Sequence, residues 1–269
     1  MAFTTASEIA FVNQVLDRIE AGQITLADQT SVEALAAFRH WSTTLNALIR
    51  SYEWPFLTDR TELVQIQTLT LDSTPAPAAF AAGATLTGGS SGTTATVLEK
   101  VSNTVYVVAY TSGDWTDGET ISDGTNSLDC ATGYPTAAAT APDFEWDLQY
   151  ELPVDFSRLI SIYEDDGSDE ADKRWVREGN RILTNYISCS IRYVKTIADP
   201  SDFDPLFAEV MLLRLAWKLI PPLAGSLSKA DREDIQRELQ TVETKARTIS
   251  SQENNQTGRL DWNLARYGL

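Results

Sequence analysis

Apolar residues recur every three or four positions in some stretches of the chain and every second position in others, and these two periods separate helices from strands. In the first stretch Ile9, Val12, Leu16 and Ile19 fall on one helical face. Thr5 and Glu8 have the spacing of a capping box, in which each side chain satisfies a backbone N–H freed at the helix start. Gly22 stops the run. A second helix is predicted to open on Thr30 and Glu33 in the same way, with Val32, Leu35, Ala36, Leu45, Leu48 and Ile49 as its apolar stripe. It closes at Trp54-Pro55-Phe56, because a proline disfavours helix in the residue before it.

Residues 62–71 then alternate imperfectly, and their β-branched content predicts a strand. The stretches 158–164 and 190–195 read as strands too. A hairpin is expected on either side of Glu178-Gly179-Asn180. The segment 206–220 is apolar nearly all round, so it predicts a helix buried on most faces. Asp204 is its N-cap, Pro205 its first residue, and Pro221-Pro222 its expected end. Ser228 and Asp231 cap a last helix, where Ile235, Leu239, Val242, Ala246 and Ile249 form a packing seam.

Composition changes the picture between 72 and 142. This stretch is rich in Gly, Ala, Ser and Thr and has Lys100 as its one basic residue. Short β-branched runs alternate there with Gly113-Asp114, Asp117-Gly118 and Asp123-Gly124, which suit hairpin turns. The reading is a small β-sandwich or barrel inserted between strands of a parent domain. The predicted fold class is therefore α+β: a helical bundle packed with a small antiparallel β-sheet, carrying an inserted all-β domain. Residues 1–71 and 143–252 form the core, 72–142 the insertion and 253–269 a terminal tail.

Charge narrows the partners. The chain carries 21 basic and 38 acidic residues, a formal charge of -17. Tight, counterion-releasing nucleic-acid binding is disfavoured, although a transient, non-gripping passage of DNA is compatible with that sign. Cys130 and Cys189 belong to no CxxC or Cys/His pattern and read as buried free thiols. The N-terminal stretch lacks a basic start and a long apolar core, so no signal peptide is expected. No run of about 18 apolar residues predicts a membrane span.

Candidate chemistry is sparse. His40 is the lone histidine and sits inside a predicted helix without a nucleophile elbow nearby. Glu164, Asp165, Asp166, Asp169, Glu170 and Asp172 form an acidic turn without calcium-loop spacing; it reads as a solvated tip, facing a channel or a basic partner. Gly88-Gly89-Ser90-Ser91-Gly92 resembles a phosphate loop only superficially, since the lysine is missing. Tyr110 and Trp115 have the character of a sugar-stacking pair, but core packing is the commoner fate. Arg174, Arg177, Arg181, Arg192 and Lys195, interleaved with Trp175, Tyr186 and Tyr193, mark the one zone where phosphates or bases could be touched. No cofactor, no metal site and no catalytic group is expected, and the chain reads as a non-enzyme.

The order of pieces resembles the head-to-tail adaptor family of short-tailed bacteriophages, also called tail tubular protein A. The matching pieces are an N-terminal helix pair closing on Glu53-Trp54-Pro55-Phe56, the stretch from Tyr150 to Leu159, the hairpin from Trp175 to Leu183, and the run from Tyr193 through Asp199-Pro200, Leu213-Arg214-Leu215-Ala216 and Pro221-Pro222-Leu223-Ala224-Gly225-Ser226. The resemblance spans the chain outside 72–142. It implies a virion structural protein of the neck, assembled in the host cytoplasm. It further implies a homo-oligomeric ring of about twelve subunits between portal protein and tail nozzle, lining the channel for genome ejection. The insertion departs from that pattern. It reads as an outward decoration for tail fibres or a host glycan, so a glycan- or fibre-binding module on a phage scaffold is the second function class. A hydrolase using paired carboxylates is the third. The tail, with Leu260, Trp262, Leu264, Arg266, Tyr267 and Leu269, is expected to dock on the portal or a neighbouring subunit, since a free tail needs few large apolar groups.

Overall fold

A computed structural model describes residues 3–26, 30–75, 80–142, 144–163, 175–223 and 228–254. They form an α+β fold with antiparallel strand pairing, the class read from the sequence. Two compact units divide the chain. One holds Met1–Asp59, Asp155–Leu159 and Tyr193–Leu269; the other holds Arg60–Val154 and Ile160–Arg192.

The first unit is helical. Its helices are α1 (Ala6–Arg18), α2 (Val32–Ser51), α3 (Pro205–Leu223) and α4 (Lys229–Asn254). Thr5 and Glu8 make the capping box that their spacing predicts, the Thr5 hydroxyl accepting from the Glu8 N–H at 3.2 Å and the Glu8 carboxylate accepting from the Thr5 N–H at 3.0 Å. Thr5→Ala is expected to lower stability by about 1 kcal/mol in urea unfolding. The cap of α2 is Ser31 rather than Thr30. Ser31 is the extended residue directly before the helix, and its hydroxyl accepts from the Ala34 N–H at 3.1 Å. The face of α2 also differs from the expected stripe: Ala34, Ala37, Trp41, Leu45, Leu48 and Ile49 are buried, whereas Val32 and Leu35 are exposed.

Helix α3 packs against α1, α2 and α4, which explains an apolar surface on nearly every side. Asp204 caps it, accepting from the N–H groups of Leu206 and Phe207. Pro221 and Pro222 do not end it; the helix runs to Leu223. Their missing N–H groups deprive only the Trp217 and Lys218 carbonyls of donors, a loss confined to the last turn. On α4, Ile235 and Ala246 are fully buried, and Leu239, Val242 and Ile249 are half-buried, as a helix-packing seam requires. Glu243 of α4 receives Arg214 of α3 at 2.6 Å and Arg247 at 2.5 Å, and Arg18 of α1 pairs with Glu238.

A chain of edge-to-face aromatic rings runs through this unit. It passes from Phe38 to Phe3, Trp41, Phe11, Phe203 and Phe207, and from Phe207 to both Trp54 and Phe56, at centroid separations of 5.2 to 5.8 Å. Such contacts add to the burial energy of each ring.

The strands are β1 (Thr58–Glu62), β2 (Val64–Thr70), β3 (Thr85–Gly88), β4 (Thr94–Lys100), β5 (Val105–Ser112), β6 (Thr120–Ser122), β7 (Ser127–Asp129), β8 (Thr136–Ala139), β9 (Leu148–Glu151), β10 (Phe156–Tyr163), β11 (Trp175–Glu178), β12 (Arg181–Thr184) and β13 (Ser190–Lys195). Three of them, β1, β13 and β10, pair in that order. The rest belong to the second unit and pair in the order β11-β12-β9-β2-β5-β4-β3-β6-β7, with β8 also on β2.

Strand β2 is the trunk of that sheet. One edge pairs first with β9, Val64 opposite Glu151, and then with β8, Gln67 opposite Ala139; the other edge pairs with β5, Ile66 opposite Ala109. Composition changes at 72, but packing is continuous there. The core around Tyr106, Phe80, Leu86, Val97, Val108 and Ile121 also takes in Leu69 and Leu71. The turns expected at Gly113, Gly118 and Gly124 all have positive φ, 72°, 71° and 86°.

Candidate functional site

The docking residues read from the tail, Leu260, Trp262, Leu264, Arg266, Tyr267 and Leu269, lie outside the described residues, as do Glu164, Asp165, Asp166, Asp169 and Glu170 of the acidic turn. The residues that carry the adaptor resemblance are largely described, and in the helical unit they meet. Glu53 lies 3.7 Å from the Arg158 guanidinium. Arg50, at the end of α2, donates to the Ser157 carbonyl at 2.6 Å. The Tyr193 hydroxyl donates to Asp155 at 3.0 Å, and the Tyr193 ring stacks on Phe156 at 5.8 Å. Burial, followed by the adjacent Asp155 carboxylate, raises the Tyr193 pKa, so the phenol stays protonated and keeps donating. Lys195 reaches Asp59 at 3.2 Å, and Ser7 donates to Asp199 at 2.7 Å. Trp54 seats its ring on Phe207 and donates its indole N–H to the Leu48 carbonyl at 3.1 Å. The end of α2, through Arg50, with Glu53 just after it, and Tyr193 of the 190–195 strand therefore meet one stretch, Asp155 to Arg158.

In the second unit the glycine-serine loop has an anion after all, but an internal one. Glu119 is 2% exposed, and its carboxylate accepts from the N–H groups of Ser90, Ser91 and Thr116 at 3.1, 2.9 and 2.7 Å and from the Ser91 hydroxyl at 2.9 Å. Burial pushes the Glu119 pKa up. The hydrogen bonds from Ser91, Thr116 and Ser90 outweigh that effect, and the net direction is down. The loop is a backbone nest filled by the chain's own side chain. Tyr110 and Trp115 meet edge to face at 6.2 Å and pack on the Tyr106 core, so this pair serves packing.

His40 is half-buried on α2, and its carbonyl accepts from the Thr44 hydroxyl. Arg177 donates to the Gly179 carbonyl, Arg181 to Gln149 and Lys195 to Asp59, so these basic groups are engaged within the chain; Arg174 lies outside the described residues. Cys130 and Cys189 are free and buried. Burial pushes the Cys189 thiol up to about 12, and burial with the charges of Asp72, Glu119 and Asp129 pushes Cys130 up to about 11, so neither is a thiolate at neutral pH. Among the described residues no group of three or more His, Cys, Asp or Glu side chains could hold a metal ion, and no helix is long and apolar enough to cross a membrane.

One cleft of about 560 Å³ opens in the second unit, lined by Phe144, Trp146, Gln149, Glu178, Asn180 and Arg181 among others. No protein-family model and no curated protein matches this chain. Sequence reasoning passed over Phe144 and Trp146. The signal was there in two aromatic residues flanking a glutamate, starting two residues after Pro142.

Proposed function

We propose that the chain is a structural subunit of the neck of a short-tailed bacteriophage, an adaptor that joins portal to nozzle as a homo-oligomeric ring and catalyses no reaction. Three contacts among the residues of the resemblance support this reading: Glu53 with Arg158, Tyr193 with Asp155, and Trp54 with Phe207. Two further features support it. Val32 and Leu35, one turn apart on α2, are 68% and 49% exposed, a paired apolar surface of the sort that a neighbouring subunit covers. The charge of -17 lets DNA pass through a channel without being held.

Negative-stain electron microscopy and light scattering of the purified protein, with and without portal rings of a short-tailed phage that encodes it, test the proposal. The expected result is a monomer alone, since an acidic chain repels itself, and a closed collar on the portal in the mixture. Removing residues 256–269 is expected to abolish or weaken that capture. A protein that never joins the portal overturns the assignment.

A further inference from the structure

We propose that the cleft in the β unit is a binding site for a neutral saccharide. Its volume, about 560 Å³, is in the range of small-ligand sites. One wall is the segment before β9. Phe144 stands 75% exposed there, with Trp146 half-buried two residues on. Glu145 between them has φ 69°, and the Trp146 N–H donates to the Phe144 carbonyl at 2.9 Å, the i to i+2 bond of a γ-turn. Positive φ is uncommon for a residue with a side chain, and this turn fixes the spacing of the two aromatic rings.

The other wall is the turn of the β11–β12 hairpin, which brings Glu178, Asn180 and Arg181 to the cleft. Asn180 and Arg181 are held by the chain beside them, the Asn180 amide donating to the Leu152 carbonyl at 3.5 Å. Arg181 donates to the Gln149 side-chain oxygen at 2.9 Å, and buried Gln149 donates to the Thr140 carbonyl at 3.0 Å. A polar rim held this way needs little reordering when it binds.

The mixture of groups selects the ligand class. A pyranose has an apolar C–H face and an edge of hydroxyls that both donate and accept. An exposed aromatic ring receives the first; carboxylate, amide and guanidinium together answer the second. Two carboxylates, Glu145 and Glu178, line the cleft beside one guanidinium, Arg181, on a chain of charge -17, so a polyanionic glycan is repelled. A basic peptide would set its own cations against Arg181. A neutral sugar meets neither obstacle.

Saturation-transfer NMR on the full-length protein with short neutral oligosaccharides of glucose, galactose, mannose, rhamnose and N-acetylglucosamine tests the site. The expected result is transfer to the ring C–H protons of at least one sugar. Phe144→Ala is expected to weaken that binding about tenfold while leaving the circular-dichroism spectrum and thermal midpoint unchanged, because the ring is exposed. Glu178→Gln should weaken binding without abolishing it. Three results would overturn the site: no transfer from any of these sugars, full binding by the Phe144 variant, or preference for a lysine-rich peptide or an acidic polysaccharide over every neutral sugar. Ring assembly on the portal is measured separately and does not depend on this outcome.

Discussion

Replacing Trp54 by alanine lowers the stability of the helical unit by about 3–5 kcal/mol, the range for deleting a large buried aromatic ring. Trp54 is 1% exposed. Its ring meets Tyr52 at 5.4 Å and Phe207 at 5.2 Å, and its N–H satisfies the Leu48 carbonyl near the end of α2. Alanine removes the ring contacts, leaves a cavity beside α3 and takes from the Leu48 carbonyl one of two side-chain donors, the Ser51 hydroxyl at 2.8 Å remaining. Phenylalanine keeps part of the ring packing but not the hydrogen bond, so Trp54→Phe falls between the two. Urea unfolding followed by far-UV circular dichroism reads the helices without relying on tryptophan fluorescence. A loss below about 1 kcal/mol for the alanine variant would mean that the aromatic chain is not a cooperative part of this core.

The second large effect belongs to Glu119. Glu119→Ala is expected to cost about 2–4 kcal/mol, because the N–H groups of Ser90, Ser91 and Thr116 lose a charged acceptor in a buried place. The effect carries a pH signature. A carboxyl whose pKa is lower in the folded than in the unfolded state stabilises the fold above its ordinary value of 4.5, and that contribution is lost as pH falls through the lower folded value. The gap in urea midpoint between the natural protein and the variant should therefore be full at pH 7 and close progressively in acid. A gap that stays constant from neutral to strongly acid pH would show that the carboxylate charge contributes nothing.

Gly88 tests the same nest from its other side. A Cβ at Gly88 would collide with the Ser91 hydroxyl and lie 2.6 Å from the Glu119 carboxylate, and neither is free to swing away while their mutual hydrogen bonds last. Gly88→Ala should destabilise for that reason. Once Glu119 is alanine part of the clash is gone, so the double variant should cost less than the two single changes together.

What the residues determined alone was local. Thr5 with Glu8, Asp204 with Pro205, and Ser228 with Asp231 announce helix starts because a cap is satisfied within three residues. The Gly179 turn and the 190–195 strand were legible for the same reason: φ preference and side-chain alternation act over a few positions. Even locally, spacing pointed to the wrong residue twice: the cap expected at Thr30 is Ser31, and α3 runs past Pro221 and Pro222 to Leu223.

The tertiary structure decided whatever depends on partners far along the chain. Strand β2 takes three partners, from 105–109, 136–139 and 150–151, and no local window reports which edge each one occupies. The change of composition at 72 was plain, yet Leu69 and Leu71 pack with the residues beyond it, because burial follows the shape of the core rather than the mix of residue types. Glu119 looked like one more acid in an acidic chain until the fold placed it under the Ser90 and Ser91 amides, across 29 and 28 residues. Phe144, Glu178 and Arg181 likewise became one cleft only when the hairpin turn came to lie opposite the segment before β9. Propensity and capping are energies of neighbours in sequence. Sheet order, nests and clefts are set by contacts whose loop-closure cost is repaid only when the whole unit packs.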